Sequence, residues 1–163
     1  MEKMVVDNGT FFADVLEVLR QGKQATIPVK GFSMLPFIRG GKDLVVLERA
    51  GEDLEAGDIV LFRMGPPDSG RYVMHRILSI DGDRVDIMGD GVPKNQEHVR
   101  KEQILAKAVT ILRGGRRAVD PSSPRQRRLV RLWQWLRPAR RYILFIYRHL
   151  PWNRSWIKEN INT

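Results

Sequence analysis

The hydrophobic pattern opens at helical spacing: Phe11, Phe12, Val15, Leu16, Val18 and Leu19 recur with a period near 3.6 residues. With Thr10 as N-cap and Gly22 as stop, they predict a short amphipathic helix over 10–21. Residues 24–29 then read as a strand that delivers the chain to Gly31-Phe32-Ser33-Met34-Leu35-Pro36-Phe37-Ile38, a turn between two apolar stretches. From 43 to 112 the pattern is predominantly β. Leu44 to Leu47, Asp58 to Met64, Tyr72 to Ile80, Arg84 to Met88 and Leu105 to Leu112 are short runs rich in Val, Ile and Leu, parted by Gly, Pro and Asp. Gly65 to Gly70 reads as a surface loop, Asp81-Gly82 as a hairpin turn, and Gly89 to Glu102 as an irregular polar loop.

These elements predict a mainly β fold: a coiled antiparallel sheet or partial barrel, with a short N-terminal helix and a C-terminal helical appendage. Three segments are expected. Residues 1–112 form the β domain with its helix. Residues 113–128, with Gly114-Gly115, Pro121, Ser122, Ser123 and Pro124, form a linker. Residues 129–163 form a basic amphipathic tail with apolar clusters at 129–136 and 142–147, followed by Leu150, Trp152 and Trp156.

Composition sharpens this division. With 42% hydrophobic residues, a chain of 163 can bury a core. The absence of cysteine excludes disulfides and thiolate metal sites. The net charge of +9 is uneven, because residues 1–112 carry 15 Lys/Arg against 17 Asp/Glu and residues 113–163 carry 13 against 2. The tail is therefore the part expected to meet an anionic partner. All four tryptophans lie in it among arginines. That composition suits a helix in a bilayer interface, giving peripheral membrane association through 129–163; docking to a protein partner ranks next and nucleic acid third. The start shows no charged region followed by an apolar one, and no window approaches ~18 consecutive apolar residues. The expected location is cytoplasmic, peripheral at the membrane surface.

Three residues carry the candidate chemistry. Ser33 sits on its turn between a preceding glycine and a following proline, where a hydroxyl can be aimed as a nucleophile, although serines in turns commonly only satisfy backbone. His75 lies in Tyr72-Val73-Met74-His75-Arg76-Ile77. Strand alternation puts it on a face with Val73 and Ile77, as a core imidazole or as a base for the serine. Asp90, between Gly89 and Gly91, is a turn residue or the acceptor of the other imidazole N–H.

The order of these blocks, with Gly57-Asp58-Ile59-Val60-Leu61-Phe62 between the first and second, resembles the type I signal peptidase superfamily, which includes the SOS-repressor autoproteases. The resemblance covers roughly residues 25–112. Housekeeping bacterial members and the repressors carry Lys as base; the endoplasmic-reticulum and archaeal variety carries His in a His-Arg block, as here. The resemblance implies a serine peptidase, a signal-peptidase-like endopeptidase, with Ser33 as nucleophile, His75 as general base and Asp90 as orienting or supporting acid. It implies a β fold that takes a peptide or precursor protein as an added strand, a preference for small side chains before the scissile bond, and no metal or organic cofactor. The alternative is a non-catalytic peptide-binding module of the same fold that docks through its basic tail. Phe37 stands where the superfamily has Thr, Gly40-Gly41-Lys42-Asp43 expands a turn, and Gly91 replaces Asn. A further aspartate of the His variety has no direct counterpart, and Glu97 and His98 lie in the matching loop.

Overall fold

A computed structural model describes residues 8–66, 70–92 and 94–150. Pro67, Asp68 and Ser69 of the expected surface loop, and Trp152 and Trp156 of the tail, lie outside the described residues. The elements run α1 (Asn8–Arg20), β1 (Ala25–Pro28), β2 (Leu44–Arg49), β3 (Ile59–Met64), β4 (Arg71–Asp81), β5 (Arg84–Met88), β6 (Glu97–Arg100), β7 (Ile104–Arg113), β8 (Arg117–Val119), α2 (Pro124–Trp135) and α3 (Arg140–His149). The fold is mainly β, as the alternation predicts. Its strands form one antiparallel sheet in the order β1-β2-β7-β3-β4-β5-β6, with β8 also paired to β7.

Both sides of this sheet are covered, which explains why β3 reads as a continuous apolar run. Ile59 and Leu61 enter one hydrophobic cluster with α1, β1, β2 and the serine turn. Val60 and Phe62 point the other way into a second cluster with Ile77, Val85, Ile87, Val99 and Ile104. On β4 the alternation holds, with Val73 and Ile77 on the second cluster and Tyr72 and Met74 against the first.

Two stretches differ from the sequence expectation. Within the polar loop expected over 89–102, residues Glu97–Arg100 form β6, pairing Val85 with Val99 and Ile87 with Glu97. Only Val99 of that strand is buried, so an edge strand with one core residue left no alternating signal to read. The stretch expected as a linker over 113–128 also carries structure. Gly114 and Gly115 adopt φ of +59° and +71° and turn β7 back into β8. Ser123-Pro124 is the start of a helix: the Ser123 hydroxyl accepts the Gln126 amide at 3.4 Å, and Pro124 fits a first turn that needs no donor.

The tail helices contribute to the same core. Val130 and Trp133 of α2 and Leu144 of α3 are buried in the cluster beneath α1 and the serine turn. Their outer faces keep Leu129, Leu132, Trp135, Tyr142, Phe145 and Ile146 exposed.

Candidate active site

Ser33 lies half-buried in the turn between β1 and β2. The turn is pinned from below by Met34, Leu35 and Ile38, each 2% exposed or less. Within it, Leu35 donates to Phe32, and Phe37 and Ile38 donate to the Met34 carbonyl. Leu35-Pro36 is a cis peptide. Gly40 is required beside the turn, since a Cβ there would sit 2.2 Å from the Gly31 carbonyl oxygen. Phe37 is buried, under the Arg76 guanidinium at 5.1 Å from its ring centroid and edge-on to Trp133 at 6.4 Å. A threonine would leave that space unfilled.

The second half of the site is the turn after β5, and both of its glycines are there for backbone contact. The Gly91 amide donates to the Ser33 carbonyl at 2.7 Å, and a Cβ on Gly91 would lie 2.3 Å from the Phe32 carbonyl oxygen. A Cβ on Gly89 would lie 2.5 Å from the Ser33 carbonyl oxygen and 3.0 Å from His75 Nε2. The serine turn and the imidazole therefore both lie beside Gly89, where a side chain would separate them. An Asn at 91 would collide with the Phe32 backbone, so this chain's departure there follows from its packing.

His75 is 6% exposed on β4, its ring 6.0 Å from that of Phe62. Its Nδ1 lies 2.6 Å from Glu97 Oε2. A carboxylate can only accept, so in the neutral ring Nδ1 carries the proton and Nε2 keeps the lone pair, directed toward the serine turn. Among the described residues no hydrogen bond joins the Ser33 hydroxyl to Nε2, and catalytic contacts of this type commonly tighten only with substrate in place.

Asp90 occupies a different position from the one expected for an imidazole partner. Its carboxylate, 1% exposed, accepts from Arg76 Nε at 2.9 and 3.1 Å and from Arg76 Nη2 at 2.7 Å. The cause is strand alternation: His75 and Arg76 are neighbours on β4 and point to opposite faces, and Asp90 lies on the Arg76 side. The carboxylate on His75 is Glu97, delivered by the β5–β6 pairing. Arg76 Nη1 also donates to the Gly57 carbonyl at 2.7 Å, so Asp90 braces β4 on the face opposite His75. Gly57-Asp58 is part of that brace. The Ile77 amide donates to the Asp58 carbonyl at 2.8 Å, and the Asp58 carboxylate takes the Glu55 amide at 2.9 Å and Lys107 Nζ at 3.1 Å.

Residues 9–128 match the family model described as signal peptidase, peptidase S26. The chain belongs to the signal peptidase family. Membership supports a peptidase function acting on peptide or precursor substrates. Among curated proteins none matches the chain. The signal peptidase match ends inside α2, and described residues beyond it reach the site region, Trp133 and Arg148 among them. Trp133 Nε1 donates to the Asp90 carbonyl at 2.8 Å, and the Arg148 guanidinium lies 5.7 Å from the centroid of the Phe32 ring. Sequence reasoning assigned both to a separate tail. It left Glu97 in a loop with His98, which in the structure pairs instead with Asp86 at 2.6 Å.

Proposed function

We propose that this protein is a serine peptidase in which Ser33 attacks the carbonyl carbon of a peptide bond while His75 Nε2 takes its proton. Glu97 holds Nδ1–H and stabilises the imidazolium that forms. Collapse of the tetrahedral intermediate breaks the C–N bond, and His75 returns the proton to the leaving amine. Water then enters along the same route and releases the acyl group from Ser33. The amides of Leu35, Phe37 and Ile38 are taken up within the turn, and we assign the oxyanion to backbone N–H groups earlier in that turn. The observation that carries this reading is the orientation of His75, with Nδ1 on a carboxylate and Nε2 turned across Gly89 toward the serine turn. Asp90 has a supporting role through Arg76.

The substrate is a peptide or precursor protein bound as an extended strand. We also infer peripheral contact with an anionic bilayer through the outer faces of α2 and α3. Pro124 to Leu150 contains eight arginines and no acidic residue, and its exposed apolar side chains include Trp135 and Phe145 at 77% and 63%. Among the described residues no helix is long and apolar enough to cross a membrane.

The reading is tested with a peptide library carrying small residues before a scissile bond. Purified protein should hydrolyse a subset, and Ser33→Ala should lose that hydrolysis completely. Unchanged cleavage by Ser33→Ala would end the serine mechanism. Binding of peptides without hydrolysis by either protein would favour the non-catalytic module.

A further inference from the structure

Among the described residues, Trp133 is the tail residue that hydrogen-bonds the Gly89–Gly91 turn, and its placement is strongly determined. The indole is 6% exposed, meets Phe37 edge-on, and donates to the Asp90 carbonyl. Arg140, fully buried, holds it from the other side: the guanidinium lies 5.1 Å from the indole ring centroid, and Nη2 donates to the Trp133 carbonyl at 3.2 Å and to Gln134 Oε1 at 3.0 Å. A buried guanidinium needs such partners, and Arg140 finds them on Trp133 and Gln134.

The turn that Trp133 holds is the junction of the site. Gly91 donates to Ser33, a Cβ on Gly89 would meet both the Ser33 carbonyl oxygen and His75 Nε2, and Asp90 grips Arg76 beside His75. A shift of this turn moves nucleophile and base relative to one another, and their contact depends on distances within hydrogen-bond range.

We propose that Trp133, from α2 beyond the family match, is a positioning residue: its indole N–H fixes the Gly89–Gly91 turn and thereby the alignment of Ser33 with His75. The inference rests on the serine peptidase reading for its catalytic consequence. It places one structural component of the site in the C-terminal helices, so that those helices hold the site together as well as carrying the basic surface.

The test compares Trp133→Phe, which keeps an aromatic ring and loses the N–H donor, with Leu144→Ala, which opens the same cluster without touching the turn. Two readouts are taken on the full chain: hydrogen exchange of the Gly91 amide, and the saturation kinetics with which a fluorophosphonate probe modifies Ser33. Trp133→Phe is expected to speed Gly91 exchange and lower the maximal labelling rate by roughly fivefold to tenfold, the scale of one buried hydrogen bond. The half-saturating probe concentration should stay within about twofold, the sign that alignment and not binding has changed. Leu144→Ala should lower the unfolding temperature at least as much and move neither readout. The proposal is overturned if Gly91 exchange is unchanged in Trp133→Phe, if exchange rises while labelling keeps its rate, or if Leu144→Ala reproduces both effects. Labelling that persists in Ser33→Ala would instead remove the serine reading, and the exchange measurement would still decide whether Trp133 holds the turn.

Discussion

The Asp90 carboxylate, expected as the supporting acid of the imidazole, pairs with Arg76. Both side chains are at most 2% exposed, and their pairing is bidentate. Removing one partner strands the other charge in the interior, so Arg76→Met should destabilise the protein by about 3–5 kcal/mol in denaturant unfolding. Arg76→Met/Asp90→Leu should recover much of that loss, because a matched apolar pair strands no charge; an equal or larger loss in the double variant would contradict the account. Ser33 and His75 stand out in the sequence as candidates because each sits in a local pattern, a Gly-to-Pro turn and an alternating strand. Glu97 was not legible as the imidazole's partner, since it is 22 residues from His75 and reaches it only through the register of β6 on β5. Asp90 is the expected acid only through the resemblance of Gly89-Asp90-Gly91 to the superfamily's Gly-Asp block, its flanking glycines alone reading as a turn. The structure gives those glycines another reason, the close approach of the 89–91 backbone to Phe32 and Ser33.

At the scale of elements, the long apolar strands were readable to within a residue or two, since burial on one or both faces leaves period-2 or continuous apolar signals. Short elements held by backbone pairing were not: β6 buries one residue, and β8 is three residues following two positive-φ glycines. Between β3 and β7, which pair at Val60 and Lys107, the link of Lys107 to Asp58 gives a pH test. Burial opposes charge on Lys107, but the Asp58 hydrogen bond and charge outweigh it and hold the ammonium above its ordinary 10.5. A raised pKa means the folded state retains the proton more tightly, so the stabilisation is fully present below the unfolded value and is lost as pH climbs through the folded one. Lys107→Met should therefore lower stability by about 1.5–3 kcal/mol near neutral pH, as for a hydrogen bond to a charged group. The gap in unfolding temperature should close above pH 10.5. A gap that stayed constant through that range would show that Lys107 contributes packing and not charge.

At the scale of the molecule, charge asymmetry separated body from tail in the sequence, while the structure joins them through Val130, Trp133 and Leu144. Composition could not reveal this, because an amphipathic helix has the same pattern whether its apolar stripe meets a core or a bilayer. Here one face is buried, and Leu132, Trp135, Phe145 and Ile146 remain outside, the surface proposed to meet a bilayer. Full-length protein should therefore float with vesicles containing anionic phospholipid, and far less with neutral vesicles or at high salt. Failure to float on anionic vesicles would remove the membrane contact without touching the peptidase reading. That reading is tested most directly by locating the adduct of a fluorophosphonate probe by peptide mass spectrometry in wild type and in His75→Ala. The account predicts modification at Ser33 in wild type, with the rate falling roughly 100-fold or more when the general base is lost. Modification elsewhere, or at Ser33 with the same rate in His75→Ala, would contradict it.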